Sequence, residues 1–121
     1  ENLRLYGKAI EQYEKMWLST ENVNILYQIA YLQYSTQRFP ESVSNIEILE
    51  TRVKDEDKIS LNKTDGTIQE IAFKAAVLNL RGLIAIEEGK NEEAKSHFTN
   101  ALVISPDFDA AKVSLDELNK G

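Results

Sequence analysis

The single histidine, His97, is the first residue to weigh for chemistry, because a neutral imidazole can move protons or bind a metal near neutral pH. It stands beside Phe98 inside a stretch of helical spacing. The chain has no cysteine, so disulfides, thiolate zinc sites and cysteine nucleophiles are excluded. Gly-x-Ser-x-Gly elbows, phosphate loops and dinucleotide fingerprints are missing. His97 therefore reads as a structural or surface histidine, and the sequence predicts no catalytic residue, no cofactor and no enzyme activity.

A second candidate chemistry is cation binding by Asp55, Glu56, Asp57 and Asp65-Gly66. With Gly66 as the turn glycine of a twelve-residue calcium loop, Leu61 and Lys63 fall on ligand positions. Ala72 then takes the place of the bidentate Glu, so the oxygen cage fails. The expectation is a solvated acidic loop without metal. Asn62-Lys63-Thr64 forms a glycosylation sequon, which matters only in a secreted eukaryotic protein.

The chain's 121 residues suit one domain with one continuous core. Its 42% hydrophobic and 28% charged residues fit a globular rather than a disordered chain. A net charge of -6 disfavours nucleic acid and anionic lipid as partners. No run approaches the roughly 18 apolar residues of a membrane span, so direct membrane insertion is not expected. Glu1 opens the chain without a Met or an apolar leader, which reads as a processed chain or an excised piece. Cytoplasmic and periplasmic locations both stay open.

What positions these residues is a ladder of apolar spacing. Leu78, Arg81-Gly82, Ala85, Ala94, Phe98, Ala101 and Pro106 form one copy. Leu26, Ile29-Ala30, Gln33, Ser42, Ile46 and Leu49 repeat its internal spacings, and Ala9, Tyr13 and Met16 fall in phase as the second half of a third copy. Asn22 and Asn91 are expected N-caps, Pro40 suits a first helical turn, and Gly89-Lys90-Asn91 reads as a turn between helices.

The ladder resembles the tetratricopeptide repeat, a helix-turn-helix unit of about 34 residues with a small residue at the helix crossing, an Ala and an aromatic on the second helix, and a closing Pro. The likeness covers roughly residues 1 to 108. The middle copy departs from the pattern with Ala30 for Gly, Ser42 for Ala and no Pro after Leu49. The resemblance implies an all-α fold: antiparallel helix pairs stacked as a short right-handed superhelix, an α-solenoid, with a C-terminal capping helix. As a single domain, 1–121 divides into the second helix of a truncated repeat (1–20), a repeat (23–54), a charged insertion loop (55–66), a repeat with a lengthened first helix (67–106) and a capping helix (107–120). The lengthening rests on Ile68, Ile71, Ala75, Leu78 and Gly82, which keep helical spacing upstream of the last copy. Phe108, Ala111, Leu115 and Leu118 form the inner face of the capping helix, with Asp109, Lys112, Asp116 and Lys120 outward.

Beside the core stripe of the middle copy runs a second one, Asn24, Tyr27, Gln28, Tyr31 and Tyr34. First helices of this family line a concave groove for peptide ligands, and the resemblance puts these residues there together with Ala76, Asn79, Leu83 and Ile86. The tyrosines read equally as packing between neighbouring helices. Tyr offers an apolar face with a wet hydroxyl, while Gln28 and Asn79 could pair with a peptide backbone. The family's clamp for chaperone tails uses Lys, Asn and Arg; the comparable positions here carry Tyr27, Tyr31, Ala76 and Leu80. An apolar or aromatic segment is the better expected ligand. On the first helix, Leu3, Tyr6, Ile10 and Trp17 form a further apolar face for a homodimer or an upstream repeat.

Two functions follow as expectations. One is a non-catalytic interaction module or scaffold holding a peptide or partner helix in the groove. The other is a self-assembly segment of a longer solenoid or homodimer, or an accessory domain of a larger protein.

Overall fold

The computed structural model describes residues 2–120, with side chains from Leu5 onward. Among them are six helices and one two-stranded sheet, so the chain is mostly helical but not wholly so. It divides into two compact units, one through Arg52 and one from Val53.

The first unit holds α1 (Asn2–Thr20), α2 (Val23–Ser35) and α3 (Phe39–Arg52). Asn22 caps α2 as expected, its side-chain oxygen accepting from Asn24 N at 2.9 Å. At the other end, Arg38 N donates to Gln33 O and Gln37 N to Tyr34 O, with Gln37 at φ 65°. Pro40 lies in the first turn of α3, where its missing N–H costs nothing. Leu26, Ile29, Ala30 and Gln33 on α2 and Ser42, Ile46 and Leu49 on α3 are all buried. Ser42, a departure from the repeat's usual Ala, has a reason: its hydroxyl donates to the Ala30 carbonyl at 2.7 Å. That satisfies a buried hydroxyl that would otherwise be costly.

The second unit holds β1 (Lys58–Asn62), β2 (Ile68–Ala72), α4 (Phe73–Glu87), α5 (Asn91–Ile104) and α6 (Asp109–Lys120). The α4–α5 turn repeats the α2–α3 turn: Lys90 N donates to Ala85 O and Gly89 N to Ile86 O, with Gly89 at φ 76°. Glycine adopts that φ freely, whereas Gln37 takes the same turn at a steric cost of about 1–2 kcal/mol. Asn91 is the first residue of α5 rather than its N-cap; Lys90 is the cap and supplies no side-chain bond.

The expected lengthening of the last repeat's first helix, and the plain loop before it, are corrected. Residues 58–72 form an antiparallel hairpin with Ile59 opposite Ile71 and Leu61 opposite Gln69. Ile68 and Ile71 fit helical spacing, yet Ile68 is 71% exposed while Ile71 and Ile59 are buried. At the hairpin's turn Gly66 has φ 88°, and the Asp65 carboxylate accepts from Thr67 N and its hydroxyl.

The hairpin is tied to the α5–α6 connection. Gln69 donates from its amide to the Asp107 carbonyl and accepts from Asp109 N, and Ala72 N donates to the Ser105 hydroxyl. Phe108 and Ala111 are buried, while Leu115 and Leu118 are half-buried. Lys112, Asp116 and Lys120 face water as expected, but Asp109 turns to the hairpin.

The tightest packing in this unit is where α4 crosses α5. A Cβ built on Gly82 would lie 2.6 Å from Phe98 Cε1, and Phe98 is fully buried. Gly82→Ala is therefore expected to destabilise the protein by about 1–2 kcal/mol, the overpacking cost outweighing the gain in helix propensity. Urea denaturation of the variant tests this, and an unchanged or higher midpoint would show that Phe98 yields without cost.

Candidate functional site

The α2 stripe becomes a row of touching rings. Residues four and three apart lie on one helical face, and Tyr27 and Tyr31 have centroids 6.2 Å apart while Tyr31 and Tyr34 stand edge to face at 5.7 Å. Phe39, the first residue of α3, continues the row 6.3 Å from Tyr34. Sequence reasoning missed Phe39 because it sits across the turn, although its place directly before Pro40 marked the start of the next helix.

Exposure sorts the row. Tyr27 is buried and belongs to the core rather than to an open face; burial first, and the Tyr31 phenol second, push its hydroxyl well above the usual tyrosine range. Tyr31 is 40% exposed and Tyr34 half-buried, while Asn24 and Gln28 stand in solvent beside them. The open part of the α2 stripe thus narrows to Tyr31 and Tyr34 with Gln28 and Asn24.

On α4, within the second unit, Ala76 and Leu80 are fully buried and Leu83 and Ile86 half-buried. Asn79 is 6% exposed, and its Oδ1 accepts no hydrogen bond from the described residues. A buried amide oxygen left unpaired costs about 1–3 kcal/mol. Native interiors seldom carry such a group without a use for it.

The α1 face is also redistributed. Ile10 is buried, so it serves the core of the first unit and not an assembly surface. Leu3 lies outside the residues whose side chains are described. Trp17 is half-buried with the Arg52 guanidinium 5.6 Å from its ring centroid, and Arg52 also pairs with Glu21 at 2.9 Å. Tyr6 stays exposed, as do its neighbour Leu5 and, further along the helix, Met16.

The acidic residues of 55–66 shape turns. Asp55 pairs with Lys74 at 2.7 Å, a hydrogen bond and attraction that hold its carboxyl below the usual range. Asp57 accepts from Lys54 N, and Asp65 is held low mainly by Thr67. Among the described residues, no group of three or more His, Asp or Glu could hold a metal ion. His97 lies half-buried in the middle of α5.

No family model matches the chain, and no curated protein matches it. The repeat reading rests on the spacing and on the helix pairs that spacing produces.

Thr64 donates both its N–H and its hydroxyl to Asp109 Oδ2 at 2.9 Å, and these bonds hold the Asp109 carboxyl below its ordinary value. Because the folded value is depressed, this contribution to stability is present above the unfolded carboxyl pKa of about 3.9. It is lost as pH falls through the lower folded value. The protection of the Thr64 amide against hydrogen exchange, taken relative to its intrinsic rate at each pH, is expected to fall on acidification below about pH 4. In Asp109→Asn that protection should be lower at pH 7 and should lose the acid dependence.

Proposed function

We propose that the chain is a non-catalytic, tetratricopeptide-like interaction module that binds an apolar or aromatic peptide segment or partner helix. The observation that carries this reading is Asn79, a nearly buried amide whose Oδ1 has no hydrogen-bond partner among the described residues. A backbone N–H of a bound segment would satisfy it, and the half-buried Leu83 and Ile86 further along α4 supply apolar contact. On α2, Tyr31 and Tyr34 add aromatic area that stays partly open, the kind of surface that anchors binding at small entropic cost.

Screening against a displayed library of random peptides is the test. Enrichment of aromatic and apolar sequences is expected, with binding lost in Tyr31→Ala and in Asn79→Ala. Asn79→Ala should not lower the melting temperature, since it removes an unsatisfied group. Selected peptides that bind both variants as well as the parent would refute the reading.

A second reading, self-assembly, is favoured by α1. Leu5, Tyr6, Met16 and Leu18 are all exposed large hydrophobic residues of this one helix. Sedimentation equilibrium should then show a concentration-dependent dimer that the double substitution Leu5→Glu and Met16→Glu returns to monomer. A parent chain that stays monomeric at millimolar concentration would remove it.

A further inference from the structure

The first unit contains a cleft that neither the aromatic row nor Asn79 touches. Its 410 Å³ lie between α1, the end of α2 and the start of α3, lined by Gly7, Lys8, Ile10, Glu11, Glu14, Gln33, Arg38 and Glu41. That size falls within the roughly 300–1,000 Å³ of small-molecule sites. The floor is Ile10 and Gln33, both buried, and the rim carries five charged side chains open to solvent.

Three features set this cleft apart from an ordinary solvated surface. Gln33 is only 5% exposed, and its Oε1 accepts from Asn45 Nδ2 at 2.8 Å, while no described residue accepts from its Nε2. The side chain lines the cleft, so its amide N–H is left to face solvent or whatever enters. Lys8 and Glu11, like Arg38 and Glu41, stand three apart on one helix face or turn, yet none of the rim charges forms an ion pair among the described residues. Gly7 sits inside α1, where glycine costs about 1 kcal/mol against alanine. No packing demands it, since a Cβ there would meet nothing within 4 Å. The missing side chain instead leaves the wall of the cleft open.

The two charge sets call for a ligand with both signs. Gln33 Nε2, Arg38 and Lys8 are donors suited to a carboxylate or carbonyl, whereas Glu11, Glu14 and Glu41 are acceptors suited to an ammonium. A purely anionic ligand would face three carboxylates, and a purely cationic one would face two bases. We infer that this cleft binds the zwitterionic main chain of a short free peptide. The carboxylate lies toward Arg38 and Lys8, the ammonium toward Glu11 and Glu14, and an inner carbonyl accepts from Gln33.

Triglycine serves as the probe, because it presents both termini and two inner carbonyls without side chains. Titrated into the full chain and followed by amide chemical shifts, it is expected to move Gly7, Glu11, Gln33 and Arg38. N-acetyl-triglycine and triglycine amide, each lacking one charge, should bind about tenfold more weakly. Glu14→Gln and Arg38→Gln, both solvent-exposed changes, should each weaken triglycine by a similar factor. Gly7→Leu should abolish the shifts while leaving the melting temperature equal or higher. Asn79→Ala should bind triglycine like the parent, which keeps this site separate from the α4 surface. Absence of saturable shifts with triglycine, equal binding of either blocked form, or full binding by Gly7→Leu would each overturn the assignment.

Discussion

Each helix pair depends on one steric constraint: at the crossing, the first helix must offer a residue small enough to admit the bulk of the second. In the second unit that residue is Gly82, and the Phe98 ring fills the space a side chain would occupy. At the matching places in the first unit stand Ala30 and Ile46, both fully buried, a slightly larger residue facing a slimmer one. The two pairs solve the same volume problem with different side chains. Close approach also explains the shared turn geometry, because a three-residue connection leaves little freedom in where the second helix starts.

Polar groups inside the pairs divide into those that hold structure and those that await something. Ser42 reaches the backbone of the neighbouring helix, and Asn45 reaches Gln33. Asn79 and the Nε2 of Gln33 have nothing comparable among the described residues. These two amides belong to different units and different helices, so the two proposed sites rest on separate observations.

Ladder residues were legible in the sequence because helix-on-helix packing fixes both spacing and size, and the helix ends carried their own signals at Asn22, Pro40 and Gly89. The hairpin was not, because Ile68 and Ile71, three apart, satisfy a helical period and run without a break into the true helix at Phe73, whereas in the strand they fall on opposite faces. Tyr27 and Ile10 were misplaced for a related reason. Periodicity gives the direction of a side chain from the helix axis, but the width of the covered arc depends on the neighbours, and no pattern in one helix encodes that. The rim of the charged cleft is illegible in the sequence because α1, the end of α2 and the first turn of α3 meet only in the folded unit.

The hairpin's bonds to the α5–α6 connection have a kinetic consequence. They join Thr64 to Asp109 and Gln69 to Asp107, across the whole span of the α4–α5 pair. Local helix pairing can proceed early, whereas contacts this distant in sequence must wait for the loop between them to be shortened by folding. During synthesis, the hairpin emerges from the ribosome well before its anchors. The nascent second unit therefore passes through a stage in which the hairpin lacks its bonds to the α5–α6 connection. Closure comes only when Asp109 has cleared the exit tunnel, so the last helix acts as the latch that completes the unit.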